Sequence, residues 1–168
     1  WTDGLPIIPP TAERVQAFVD HIGRAPGEVV AEIPPDNSIA TIETVAINAV
    51  MAGCRPEYMP VLLAAIAAVT DPVFGLSIIQ CTTNPATPFL ILNGPLRNQL
   101  EINCGANALG QGWRANATIG RALRLLLVNV GGAVPGTASK ATLGHSGRFT
   151  MCLGENEEEN PWEPLHVE

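Results

Sequence analysis

Apolar residues recur along this chain with two periods, and the changes of period mark its elements. Val15, Phe18, Val19 and Ile22 fall on one helical stripe between Thr11 and Gly23. Thr11 is a good N-cap and Gly23 a good stop, and His21 near the C-terminal end suits the helix dipole. Residues 28–33 alternate and run into Pro34 and Pro35, which predicts a short strand. Ile42, Val45, Ala46, Ala49 and Val50 form the apolar face of a second helix, starting at Ser38 or Thr41 and ending at Gly53. A third helix starts at Pro56 or Pro60. Its residues 61–69 are apolar nearly all round, which predicts burial or cover by another chain.

Residues 74–80 read as a strand, and 89–92 as a strand buried on both sides. Residues 96–102 fit a helical turn or a strand. The strongest helix then runs from Arg114 until Gly131 and Gly132 end it. Ile119, Ala122, Leu123 and Leu126 make its inward face, while Arg114, Thr118 and Arg121 share another. Residues 148–153 read as a last strand. The expected fold is α/β or α+β. A small mixed sheet is built from strands near Glu28, Phe74, Phe89 and Arg148, with three to four helices packed on it. The length of 168 residues suits a single domain. Residues 1–10 and 155–168 read as extended arms, with Trp1 and Trp162 as their anchors.

Composition sharpens this picture. An apolar share of 46% and a mean hydropathy of +0.21 exceed what a small monomer needs, and imply a homo- or hetero-oligomer. No apolar run reaches the length of a membrane span. The chain opens on Trp1, as a processed, trimmed or partial chain does, and no signal-peptide pattern is visible. The net charge of −7 is concentrated. Six acids lie from Glu155 onward, so the body carries ten acids against nine bases. That balance excludes a nucleic-acid face. Eight of the nine bases are arginines, the residue suited to bidentate carboxylate or phosphate contacts. The four cysteines are far apart and form no CxxC, so they read as free thiols in a reducing cytoplasm.

The chemistry-bearing residues cluster in a few places. Residues 103–113 are rich in glycine and asparagine and lead into the strongest helix. Amides of Gly110 and Gly112, the Asn116 side chain, and Arg114 and Arg121 make a candidate anion site there. Asn93 and Arg97 follow a strand end, where open α/β sheets place ligands. Cys104 opens the loop. Cys54 sits between a helix end and a helix start, where Arg55 and the following helix lower a thiol pKa. Glu43 on an apolar helix and His145 in a glycine-flanked loop are candidate proton carriers. The alternatives are a solvated surface for Glu43 and His145 and structural roles for the thiols. No nucleotide motif is present, because Gly105, Gly110 and Gly112 have the wrong spacing. The three histidines form no local metal motif. A metal site built in space from His145, a cysteine and a carboxylate stays open, so the cofactor is unknown.

Five strings carry a resemblance over nearly the whole chain. They are WTDGLPIIPPT, INAVMAGCRPEYMP, the NGP of Asn93 to Pro95, NALGQGWRANATIGRALRL and ENEEENPWEPLHVE. Together they resemble a bacterial family grouped with the UGSC (seleno)proteins and with thiol–disulfide oxidoreductases. The resemblance implies thiol-dependent redox or lyase chemistry. No UGSC or CGSC string occurs here, so it also implies that the reactive thiol or selenol lies on a partner or on further chain. The expectation is a subunit or domain of a bacterial enzyme acting on a small anionic organic substrate. The alternative is a non-catalytic structural subunit that docks on a catalytic partner chain.

Overall fold

The computed structural model describes residues 1–167. Helix α1 (Ala12–Ile22) begins where the Thr11 hydroxyl accepts from the Arg14 amide. It ends at Gly23, whose φ of 66° lets its amide reach the Val19 carbonyl. Strand β1 (Val29–Ile33) pairs antiparallel with β2 (Ser38–Thr41), with a register shift between Val29 and Ala31. The sequence reading placed Ser38 to Thr41 in or before a helix. The start of helix α2 (Ile42–Ala52) explains why they stay extended. Thr41 and Thr44 cap each other reciprocally, which fixes the helix start at Ile42.

A 3-10 turn (Pro56–Tyr58) leads into α3 (Met59–Thr70). One face of α3 is buried through Met59, Leu62, Ile66 and Val69, while Ala64, Ala67 and Ala68 face outward. Residues 74–80, expected as a strand, are mostly helical. A 3-10 turn (Pro72–Phe74) and α4 (Leu76–Cys81) occupy them. Asp71 accepts from the Val73 amide, and Gly75 adopts a φ of 68°, so the chain re-enters helix directly. Ile78 remains exposed on α4, and Gln80 is buried with its amide donating to the Pro34 carbonyl.

Strand β3 (Leu90–Leu92) is followed by the short α5 (Leu96–Gln99) and a loop to α6 (Arg114–Asn129). After a long loop with a 3-10 turn (Ser146–Arg148), β4 (Cys152–Gly154) pairs parallel with β3. Among the described residues the fold is the expected mixed α/β arrangement in one domain, with six helices and with its strands in two separate two-stranded sheets where one mixed sheet was expected. Half-exposed Phe89 and Ile91 also show that β3 is open on one side. No single helix among the described residues is long and apolar enough to cross a membrane.

The core lies where α2 and α6 cross, closed by α1 and α3. Ala46, Ala49, Ala115 and Ala122 are almost fully buried, and such small side chains let helices approach closely. Two asparagines link α2 and α6 at the edge of this core: exposed Asn129 donates to buried Asn48, whose own amide donates to the Thr44 carbonyl. On the other side of α6, Gly120 meets the segment before β4. A Cβ there would lie 2.5 Å from Thr150 Oγ1 and 2.7 Å from the Met151 amide nitrogen. Both neighbours are held, because Thr150 donates to the Ala117 carbonyl and the Met151 carbonyl accepts from Leu90. Gly120→Ala should therefore cost about 1–3 kcal/mol as an overpacking change, despite alanine's better helix propensity. Chemical denaturation should show the loss, and a neutral or stabilised variant would contradict this packing.

Candidate functional site

Three of the arginines expected to hold a substrate are engaged by the protein itself. Arg114 donates through Nε to the Gly53 carbonyl at 2.9 Å and through Nη2 to that of Cys54, so it caps the end of α2. Arg121 forms a two-pronged pair with Asp3, with both bonds 2.8 Å long, and also donates to the Pro6 carbonyl. Burial pushes the Asp3 carboxyl up, but the Arg121 bonds and the Leu5 amide outweigh it and hold its pKa below the usual value. Arg97, 3% exposed, lies against the C-terminal acids: Nη2 donates to both Glu158 oxygens and Nε to Glu157. Asn93 donates to Glu155, and the Gly94 amide to Glu157. The place past β3 where a ligand was expected is thus filled by residues 155–158. The tail is anchored by its carboxylates, not by Trp162, which is 78% exposed. Trp1 is exposed as well, and the first arm is held by Asp3 and by the Ile8 amide on the Met51 carbonyl.

The glycine-rich loop is also self-satisfied. The Gly110 amide donates to the Asn107 carbonyl. Asn116, almost fully buried, accepts from the Asn103 amide and donates to the carbonyls of Asn103 and Ala108. Asn116 is therefore the internal brace of this loop. Gly112, with a φ of 113°, makes the final turn before α6. Glu43 is exposed in the first turn of α2. His145 is exposed, and its Nδ1 accepts from the Gly147 amide to cap the 3-10 turn.

The thiols divide by burial. Cys54 is buried and donates to the Thr118 carbonyl. Burial pushes its pKa up to about 12, outweighing that hydrogen bond and the Arg114 charge. The expected activation by Arg55 fails because desolvation dominates, while Arg55 turns to Glu101. Burial pushes the Cys152 thiol up to about 12 as well, with Cys54 adding to the shift. Cys104 is half-buried and accepts from Arg97 Nη1 at 3.4 Å, and Cys81 is exposed. Among the described residues, no three His, Cys, Asp or Glu side chains converge to hold a metal ion.

Two arginines that the sequence reading did not single out come together elsewhere. Arg124, 9% exposed, extends from α6, with Nε donating to the Arg148 carbonyl and Nη2 to Thr87. Arg148 donates through Nη1 to the Ala86 carbonyl at 2.9 Å and through Nη2 to Ser139 at 2.8 Å. Among the described residues neither forms an ion pair. Burial, then the Arg148 charge, pushes the Arg124 pKa down to about 10, and burial lowers that of Arg148. Both arginines line a cavity of about 200 Å³ with Val128, Ala133, Pro135 and Phe149. Thr2 and Asp3 of the N-terminal arm complete its wall, so the Asp3–Arg121 pair holds that wall in place. One signal was legible: Arg124 interrupts the apolar run Leu123, Leu125 to Leu127 on a buried helix face, where an arginine needs a reason.

The tail latch makes a pH prediction. The Gly94 amide and Arg97 hold the Glu157 pKa below the usual carboxylate value, and Arg97 does the same for Glu158. A lowered folded pKa contributes stability above the unfolded value, about 4.3, that is lost as pH falls through the folded one. The latch should therefore hold near neutral pH and release in acid below about pH 4. Hydrogen exchange, corrected for its intrinsic pH dependence, should show residues 155–160 losing protection there. Equal protection at pH 7 and pH 3 would refute the latch.

No protein-family model, curated protein or solved structure matches this chain.

Proposed function

We propose that this chain is the anion-binding subunit or domain of an enzyme acting on a small organic anion, held between Arg124 and Arg148. One observation carries the reading: a largely desolvated guanidinium, that of Arg124, shares a cavity with the partly buried one of Arg148, and neither has a carboxylate partner among the described residues. Buried cations are ordinarily paired, so a cavity that leaves Arg124 unpaired beside a second guanidinium is suited to an incoming anion. Forked arginine donors match a carboxylate or a phosphate. The cavity has no thiol among its lining residues. The reading therefore assigns binding and orientation to this chain, and places thiol-dependent redox or lyase chemistry on a partner chain or adjoining segment. Cys104 is the one thiol here that combines partial exposure with an arginine neighbour.

Calorimetry on the purified chain tests the reading. Small organic anions should bind, and Arg148→Gln should weaken them about ten- to a hundred-fold, the effect of removing a charged hydrogen-bond donor. Circular dichroism should show the variant folded. Failure of the wild-type chain to bind at millimolar concentrations, or equal binding by a folded Arg148→Gln, would refute the assignment.

A second reading, a structural subunit that docks on a catalytic partner, is favoured by a different surface. Pro60, Val61, Ala64 and Ala68 of α3 face Phe89, Ile91 and Leu96 across an open groove of about 390 Å³. The Leu90 amide and the Leu92 carbonyl bond toward the β4 side, so the Ile91 backbone faces the free edge. An uncharged edge strand beside an apolar groove accepts a strand from another chain. Ile91→Lys should block that association in light scattering with the partner while leaving anion binding intact. Unchanged assembly would remove the groove from the interface.

A further inference from the structure

We infer that the C-terminal latch holds the Cys104 thiol in check. Glu157 and Glu158 take up the charge of Arg97, the guanidinium that faces the Cys104 sulfur, and release of the tail turns that charge onto the thiol. A guanidinium has five N–H groups, and each one on Arg97 has a partner. Nε donates to Glu157 at 3.2 Å, and Nη2 to the two oxygens of Glu158 at 2.6 and 2.7 Å. Nη1 donates to the Asn98 side chain at 3.2 Å and to Cys104 Sγ at 3.4 Å. The sulfur therefore shares one cation with two carboxylates. Packing keeps them together. The Ile102 amide donates to the Arg97 carbonyl at 2.8 Å, and a Cβ on Gly154 of β4 would lie 3.2 Å from Cys104 Cβ and 3.4 Å from Arg97 Cδ.

The charged groups on the surrounding elements are otherwise engaged. Residues 104–113 carry no charged side chain. Glu101 pairs with Arg55, and Arg114 is spent on the carbonyls of Gly53 and Cys54. Glu155 is held by Asn93 and Asn160, and His166, when protonated, acts on Glu157. The buried thiols of Cys54 and Cys152 stay uncharged near neutral pH, because burial pushes both up to about 12. With the latch closed, the two carboxylates offset the guanidinium and disfavour a further negative charge beside it. With the tail released, the guanidinium faces the sulfur alone and favours the thiolate, the nucleophilic form of cysteine. Sulfur and Glu158 are bonded to neighbouring nitrogens of one guanidinium. At such range each carboxylate changes the thiolate fraction by about three- to ten-fold. The Glu158 side chain is 60% exposed, so its end of the latch is open to solvent and to competitors.

The test is the rate at which iodoacetamide alkylates Cys104 at pH 7, in the full chain carrying Cys81→Ser to remove the exposed thiol. The thiolate displaces iodide, a sulfur–carbon bond forms, and the thiol proton is left to solvent. The reagent is neutral, so the charge of the tail does not steer it. Peptide mass spectrometry locates the adducts, and circular dichroism shows that each variant is folded. Glu157→Gln together with Glu158→Gln should raise the Cys104 rate at least about ten-fold. Adding Arg97→Gln to that pair should return the rate to the latched value or below, whereas Arg97→Lys should retain most of the gain. Equal rates with and without the two tail acids would overturn the inference. So would a rate that stays high when Arg97→Gln is added, because uncovering of the sulfur would then account for the gain with no part for the guanidinium. Neither result depends on whether the Arg124–Arg148 cavity binds an anion.

Discussion

The close crossing of α2 and α6 is the constraint on which the rest depends. Alanines at 46, 49, 115 and 122 are buried in the core that these helices share. Helix α6 is then committed on several sides. It meets α2 and α3, and at Gly120 it lies against the chain entering β4. A helix fixed so completely can carry a polar group into the interior and hold it there, because the surrounding packing leaves the backbone no room to shift. Arg124 is that group. Its guanidinium reaches Thr87 and the Arg148 carbonyl, and so ties α6 to two long loops that have little regular structure of their own.

The helices were legible where a periodic stripe met a cap. Thr11 and Gly23 bound α1, and the inward set of Ile119, Ala122, Leu123 and Leu126 is buried as the pattern required. Residues 74–80 misled because a short apolar run looks the same in a strand and in a buried helical turn. The arbiters were the Asp71 side chain and the left-handed Gly75, both turn chemistry and not hydropathy. The two sheets were not legible as separate. Strand pairing is non-local, and nothing in residues 28–33 or 89–92 says that another element stands between them.

The sequence pointed to an anion site on Arg97, Arg114 and Arg121, and the structure engages all three within the protein. An arginine-rich chain with few lysines pointed to fixed anion contacts, yet sequence cannot show which arginines a chain neutralises internally. Asp3 lies 118 positions from Arg121, and Glu158 lies 61 from Arg97. Such pairing over long separations consumed the exposed-looking candidates. Arg114 is spent on the Gly53 and Cys54 carbonyls, and the two arginines that look most structural, one inside an apolar helix and one after a glycine-rich loop, carry no ion pair among the described residues. Cys54 shows the same limit, since a neighbouring arginine in sequence counts for less than the solvent a thiol loses on burial.

The paired, uncompensated charges of Arg124 and Arg148 also bear on how firmly the chain is folded. With the cavity empty, two like charges oppose each other in a poorly solvated setting, and the native state carries that repulsion. Were an anion held between them, as we propose, it would convert the repulsion to attraction and, by binding only the folded form, add stability that grows with its concentration. Such a ligand would be a component of the fold as well as its cargo. Loops 82–89 and 133–149, joined through these two side chains and through Thr142 on the Thr83 carbonyl, would be the parts whose order tracks its supply.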